Sequence, residues 1–198
     1  MKIAEIEEKL IQRLSPKRFL HTQGVKEAAV ILAQKFGASQ EKAALAGVLH
    51  DLAREIPEDK LLQMSYSSNI AVTEIDKAMP VLLHAPVGAA LAKKEFNVTD
   101  SEILQAIARH TVGSTKMGIL DKIIYLADFI EPGRDCEGVN QLRELVFSAG
   151  QGHQAGKILD QALLAAYDSS IRYNVEKKAL LHPATIYGRN DLLLQRQK

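Results

Sequence analysis

Apolar residues recur at steps of three and four along almost the whole sequence, which is the spacing of one face of an α-helix. Two stripes of this kind open the chain: Ile3, Ile6, Leu10 and Leu14, then Val25, Ala28, Leu32 and Phe36. Alternating segments of β-branched residues, which would indicate strands, are essentially absent from the sequence. The pattern therefore predicts an all-α protein.

Residues with capping preferences divide this pattern into separate helices. Ser15 is followed by proline and predicts the start of the second helix, which Gly37 ends. Ser39 predicts the start of the third helix. Thr99 and Glu102 form a capping-box pattern for a later helix.

The second half of the chain continues the helical pattern. Ser114 or a neighbour is expected to begin a helix that runs towards Pro132. Further helical patterns cover the C-terminal third: residues 139–147, residues 153–181 and the segment after Pro183.

The third helix is apolar on every face, which predicts that it is buried at the centre of a helical bundle. Its apolar residues are Ala43, Ala44, Ala46, Gly47, Val48 and Leu49. The sequence has no internal repeat, low-complexity tract or linker that would divide it. We therefore expect a single domain over residues 1–198, with a motif-bearing core at about 17–135 and C-terminal helices at about 139–198.

Charge and cysteine content narrow the classes of partner. Lys and Arg number 25 against 24 Asp and Glu, a balance that argues against a nucleic-acid or membrane-surface binder. Cys136 is the only cysteine, so an internal disulfide is excluded. The N-terminus lacks the apolar region of a signal peptide, and no apolar run reaches the ~18 residues that span a bilayer. We expect a cytoplasmic protein without nucleic-acid or membrane partners.

Four polar residues interrupt faces that are otherwise apolar. His21 falls in register with Val25, and His50 and Asp51 directly follow the central helix. Asp128 lies on the inward side of its helix. A buried carboxylate without compensation costs several kcal/mol or becomes protonated. Asp51 and Asp128 must therefore be compensated by other groups.

Three kinds of compensation are possible. Each acid can pair with a nearby basic side chain or backbone amide, or Asp51 can cap a helix end. The third is a divalent cation shared by all four residues, which would neutralise both acids and order both imidazoles at once. Mixed imidazole and carboxylate ligands suit Mn, Fe, Co or Zn better than Ca. The coincidence of four residues favours the cation.

Two further histidines and two arginines are candidates for the same site. His84 precedes Ala-Pro at a helix break, and His110 lies on an apolar helix face. Each of these histidines is a buried core residue, a ligand of a second ion, a proton donor or a binder of an anionic substrate. Arg18 and Arg134 stand close to the polar residues in sequence and suit phosphate, because a guanidinium presents a planar fork of donors.

Five short motifs carry these residues. They are RFLHTQGV around His21, AGVLHDLAR around His50 and Asp51, LLHAP around His84, IARHTVG around His110 and YLADFIEPGR from Tyr125 to Arg134. Together the motifs resemble the HD-domain metal-dependent phosphohydrolases, and within them the YqeK-type branch of bacterial symmetrical bis(5′-nucleosyl)-tetraphosphatases.

The resemblance implies a helical HD domain that cleaves diadenosine tetraphosphate and related dinucleotides into two nucleoside diphosphates. It implies a bound divalent ion, iron in the first place, with manganese or another divalent ion able to substitute. Four residues would ligate the ion: His21, His50, Asp51 and Asp128. His84 and His110 would lie beside the phosphates, and the protein would form a homodimer.

A mechanism follows from these assignments. Water activated by the ion would attack an inner phosphorus atom, with Asp51 or Asp128 as the residue that orients the water. His84 or His110 donates a proton to the leaving group or stabilises its charge, while Arg18 and Arg134 hold the diphosphate. Two alternatives stay open: another HD-type nucleotide phosphohydrolase, such as a nucleotidase or phosphodiesterase, and a non-catalytic nucleotide-binding sensor.

Overall fold

The structure, a computed structural model, describes residues 2–135, 138–148 and 153–195. These ranges contain eleven α-helices, one short 3₁₀ helix and no strand, so the all-α prediction is confirmed. The elements are α1 (Ile3–Arg13), α2 (Pro16–Phe36), α3 (Gln40–Leu49), α4 (Glu58–Ser67), α5 (Glu74–Ala78), the 3₁₀ helix (Pro80–Leu83), α6 (His84–Phe96), α7 (Ser101–Arg109), α8 (Ile119–Ile130), α9 (Val139–Ser148), α10 (His153–Glu176) and α11 (Pro183–Gln195). Within the described ranges, no helix has the length and apolar content needed to cross a membrane.

The predicted boundaries of α2 and the start of α3 are confirmed. The Ser15 hydroxyl accepts a hydrogen bond from the backbone amide of Arg18, and the Ser39 hydroxyl accepts one from the amide of Lys42. Gly37 follows α2 in the left-handed conformation, with φ of 76°. These three residues act as sequence preferences for caps predict.

Two predicted helix starts and one predicted helix end are wrong. The carboxylate of Asp100, not the Thr99 hydroxyl, caps α7, because it accepts hydrogen bonds from the amides at the start of that helix. Ser114 does not start α8, since left-handed turns at Gly113 and Lys116 keep the chain non-helical until Ile119. Helix α10 ends at Glu176 rather than 181.

Helix α3 lies at the centre of the bundle, against α2, α7 and α8. Its apolar residues are buried, as predicted. A Cβ atom at Gly47 would lie 2.9 Å from Cα of Lys26 in α2, so the two backbones approach more closely than a larger residue allows. This contact brings the last turn of α3 next to the third turn of α2.

The C-terminal helices pack on the same bundle, with α10 against α2, α8, α9 and α11. Tyr167 of α10 is fully buried, and its hydroxyl donates a hydrogen bond to Met117 Sδ. Gly113 and Gly188 leave the space for this ring. Thr185 of α11 donates to the carbonyl oxygen of Val112 at 2.9 Å, which ties the last helix to the segment after α7.

Candidate metal centre

Helix ends from five elements converge on one group of buried or half-buried side chains, which we call the His/Asp cluster. Its members are His21 in the second turn of α2, His50 and Asp51 directly after α3, His84 at the start of α6, His110 directly after α7 and Asp128 in the last turn of α8. Ligand atoms lie within 4.8 Å of one another in three overlapping groups: His21, His50 and Asp51; His50, His110 and Asp128; Asp51, His84 and His110. The structure thus brings together every metal and histidine candidate from the sequence.

Asp51 lies between the histidines of the cluster. Its Oδ2 atom is 3.4 Å from His50 Nε2 and 3.6 Å from His21 Nε2. Its Oδ1 atom is 3.3 Å from His84 Nε2 and 3.7 Å from His110 Nε2. One carboxylate therefore faces two pairs of imidazoles.

Asp128 of α8 completes the cluster. Its Oδ1 atom lies 3.1 Å from His21 Nε2, and one of its oxygens is within 4.8 Å of ligand atoms of His50 and His110. The four residues predicted as metal ligands therefore occupy one site, and their ligation of an ion stays a prediction.

The tautomers of three cluster histidines follow from one repeated contact. Nδ1 of His50, His84 and His110 each contacts the carbonyl oxygen of the residue three positions earlier. These acceptors belong to Gly47, Val81 and Ile107, respectively. Because a carbonyl oxygen only accepts, each Nδ1 carries the hydrogen. In the neutral rings the Nε2 lone pairs are then directed into the cluster.

His21 is oriented by a carboxylate instead. Its Nδ1 atom lies 3.1 Å from Oε1 of buried Glu131, whose Oε2 accepts a hydrogen bond from the Gly133 amide at 2.6 Å. A Cβ atom at Gly24 would lie 2.6 Å from Oε2, so glycine leaves the space for this carboxylate. Sequence reasoning missed Glu131, and the available signal was its place three residues after Asp128, about one helical turn away.

The donor set fits a divalent ion. Among the described residues, no donor reaches the buried Nε2 atoms of His21 and His50, so both lone pairs are without a partner in the neutral rings. Both lone pairs lie beside carboxylate oxygens of Asp51 or Asp128, which are also electron-rich. A cation resolves this arrangement, since imidazole and carboxylate are both ligands of first-row divalent metals.

The cluster shifts the pKa of its own members. Burial would raise the pKa of Asp51 and Asp128, but the neighbouring imidazoles hold both values well below the usual range. Burial would lower the pKa of His21 and His50, but the nearby carboxylates raise both values. At His84 burial dominates and the pKa is lowered. Both acids are therefore ionised at neutral pH and can attract a cation.

The two arginines proposed from sequence as phosphate clamps lie beside the cluster acids. Arg18 Nη1 donates to Asp51 Oδ2 at 2.7 Å. Arg134 Nη2 donates to Asp128 Oδ1 at 2.6 Å, and its Nε donates to the Asp128 carbonyl oxygen at 2.9 Å. A guanidinium has five N–H donors, so both arginines keep donors for a further anion.

Two cavities adjoin the cluster and share Arg18 and Arg134. The smaller cavity, of about 210 Å³, is lined by Asp51, His84 and His110 among others. The larger cavity, of about 780 Å³, lies between the first half of α2 and the segment after α8. A ligand that spans both cavities would pass the two arginines.

Comparison with known proteins assigns the class. The HD domain matches residues 18–133, a range that contains the whole cluster. The chain belongs to the HD-domain family, and this family together with the cluster indicates binding of a divalent metal ion.

Relatives within this family indicate a narrower class of protein. The symmetrical bis(5′-nucleosyl)-tetraphosphatase of Bacillus subtilis (strain 168) is 36% identical over 182 residues, which cover 92% of each chain. The protein of the same name from Halalkalibacterium halodurans is 35% identical over 93% of each chain. A crystal structure from Clostridium acetobutylicum, described as a predicted HD superfamily hydrolase involved in NAD metabolism, is 36% identical with a TM-score of 0.90 over 98% of each chain. The resemblance inferred from the motifs is thereby confirmed.

Proposed function

We propose that this protein is a metal-dependent hydrolase that cleaves diadenosine tetraphosphate and related dinucleoside tetraphosphates symmetrically into two nucleoside diphosphates. The observation that carries the proposal is the convergence of two histidines and two aspartates, far apart in sequence, on one site with two unpartnered Nε2 atoms. The names of relatives that match over more than nine-tenths of the chain support this substrate.

Four residues would hold the ion: His21, His50, Asp51 and Asp128. We propose iron as this ion, with manganese or another divalent ion able to replace it, because mixed nitrogen and oxygen ligands suit these metals. When bound, the ion lowers the pKa of water and polarises a phosphoryl oxygen. Asp51 can in addition orient the attacking water, since its two oxygens face opposite sides of the cluster.

We expect His84 and His110 to supply a proton to the leaving group. Their Nε2 atoms lie 3.1 Å apart, and each Nδ1 atom contacts a carbonyl oxygen. Two lone pairs cannot form a hydrogen bond with each other, and burial lowers the pKa of His84, so a proton between the rings would need the negative charge of bound phosphate to stabilise it. The Thr111 hydroxyl, 3.2 Å from His84 Nε2 and 3.1 Å from His110 Nε2, can accept from the ring that carries this proton. The shared proton can pass to the oxygen of the departing nucleoside diphosphate.

Arg18 and Arg134 would bind the phosphates. Each pairs with one cluster carboxylate, and each retains N–H donors beside the cavities. Guanidinium groups at this position would neutralise charge that develops on the phosphoryl oxygens. Together they would fix which phosphorus atom reaches the cluster.

The test is anaerobic purification, metal analysis and chromatographic identification of products from diadenosine tetraphosphate. We expect bound divalent metal and ADP as the product. Formation of ATP plus AMP would reject symmetrical cleavage. Turnover of mononucleotides or cyclic nucleotides in preference to the dinucleotide would favour another phosphohydrolase, and tight binding without turnover would favour a sensor.

A matched pair of variants tests the ligand assignment. Asp51→Asn removes a charge from the cluster and should abolish metal retention and reduce kcat by at least about a thousandfold. Asp100→Asn, at the cap of α7, leaves the cluster intact and should keep both. Full activity of Asp51→Asn would reject the assignment.

The homodimer and the cytoplasmic location stay predictions. Light scattering on the purified protein tests whether it is a homodimer.

A further inference from the structure

The larger cavity beside the cluster plays no part in the chemistry described above. It shares Arg18, His21 and Arg134 with the site and extends away from the cluster along α2. Its volume of about 780 Å³ falls inside the range of ~300–1,000 Å³ that small-molecule pockets occupy. The smaller cavity, at about 210 Å³, falls below that range. The smaller cavity therefore suits phosphate groups, and only the larger one has room for a nucleoside.

The lining of the larger cavity has the chemistry that a nucleoside requires. Leu20 and Pro132 supply apolar surface, and Leu20 is 73% exposed although it is a large aliphatic residue. Gln23 also lines the cavity and carries a side-chain amide. An apolar wall next to an amide side chain matches the face and the edge of a base.

The two arginines determine the orientation in which a ligand would bind in the larger cavity. Arg18 and Arg134 line both cavities and stand at their junction. A nucleoside in the larger cavity would send its phosphates past these two guanidinium groups towards the cluster. Lys17, which precedes Arg18 in α2, adds a further positive charge to the lining.

We propose that the larger cavity is the binding site for one nucleoside of the substrate, with Leu20 as its apolar wall. This inference rests on the proposed function and adds the part of the substrate that the cluster does not explain. A nucleoside held at a fixed distance from the cluster determines which phosphorus atom is attacked. The symmetrical cut then follows from the length of two phosphates between the cavity and the attacked atom.

The test measures binding rather than turnover. Isothermal titration of the metal-loaded protein with ADP and with inorganic pyrophosphate separates the nucleoside contribution from the phosphate contribution. In Leu20→Ala the dissociation constant for ADP should rise about five- to tenfold, the effect of losing part of one apolar contact. The dissociation constant for pyrophosphate should stay within about twofold of wild type, because pyrophosphate does not reach Leu20.

Two further variants in α2 control this result. Ile31→Ala removes an exposed aliphatic side chain from α2 outside the cavity lining and should leave ADP binding unchanged. Leu20→Phe keeps an apolar wall and should restore wild-type affinity for ADP. Unchanged ADP binding in Leu20→Ala, or an equal loss for ADP and pyrophosphate, would overturn the nucleoside site. Absence of dinucleotide hydrolysis by the wild-type protein would instead overturn the proposed function.

Discussion

Single residues of the site differ in how readily they can be predicted from the sequence. His21 and Asp128 could be found because they break apolar helical stripes, and a polar residue in such a stripe requires a partner. Glu131 could not be found in this way, since it follows α8 in a polar turn where no stripe exists to be broken. The role of Glu131 depends on the space that Gly24 leaves in another helix, which only the folded chain reveals.

Substitution of Glu131 should weaken metal binding through His21. A carboxylate that accepts from Nδ1 fixes the tautomer and orientation of a ligating histidine, and its loss costs about 10- to 100-fold in metal affinity. We expect Glu131→Ala to lose metal affinity in that range. Glu131→Gln should lose less, because its amide oxygen still accepts from Nδ1. Competition with a chelator measures the affinity.

Glu144→Gln provides the control for Glu131, because Glu144 is an exposed residue of α9. Its metal affinity should equal that of wild type. Thermal unfolding of the metal-free variants separates loss of affinity from loss of fold. Wild-type metal affinity in a folded Glu131→Ala protein would reject the orienting role.

Metal affinity should rise with pH. The pKa values of His21 and His50 are raised above 6.5 because carboxylates stabilise the protonated rings against burial. Metal must displace these protons, so affinity increases as pH rises from 6.5 through the raised values. The same shift stabilises the metal-free fold below pH 6.5, a contribution that is lost as pH rises through the raised values. Titration in two buffers of different ionisation enthalpy should detect proton release, and pH-independent affinity would contradict this expectation.

At the scale of helices, the sequence predicts which helices form better than it predicts the residues at which they begin and end. Helix α3 could be predicted as central because its apolar residues cover every face. The start of α7 could not, since Thr99 and Asp100 are both good capping residues and the folded backbone decides which one reaches the free amides. The turn before α8 likewise depends on left-handed conformations at Gly113 and Lys116.

The close contact of α2 with α3 should control the site. Gly47→Ala places a Cβ atom 2.9 Å from the Lys26 backbone, so the helices must separate. We expect a loss of about 1–3 kcal/mol in the free energy of unfolding. Metal affinity should also fall, because α2 carries His21 and the end of α3 positions His50. The ring centroids of these two histidines lie 5.3 Å apart.

Urea unfolding of the metal-free protein measures the stability change, with Gly156→Ala as the matched control. Gly156 lies in α10, and a Cβ atom there meets nothing within 4 Å. This control should gain up to about 1 kcal/mol, because alanine favours a helix more than glycine does. Equal stability of Gly47→Ala and wild type would show that the helices do not need their close approach.

At the scale of the whole molecule, the sequence predicts the identity of the site residues but not their arrangement. His21 and Asp128 are separated by more than a hundred positions, and only the packing of α8 against α2 brings them to 3.1 Å. The contribution of the C-terminal helices could not be predicted either, because no motif marks the hydrogen bond from Thr185 to the carbonyl oxygen of Val112. Long-range packing of this kind leaves no periodic signal in the chain.

The central claim is that four side chains from three helical segments share one ion. Anomalous diffraction at the iron edge, from anaerobically grown crystals of the metal-loaded protein, tests it most directly. The account predicts a peak bonded to Nε2 of His21 and His50 and to carboxylate oxygens of Asp51 and Asp128. A peak bonded to other residues, or a loaded protein in which any of these four side chains points away from the ion, would contradict it.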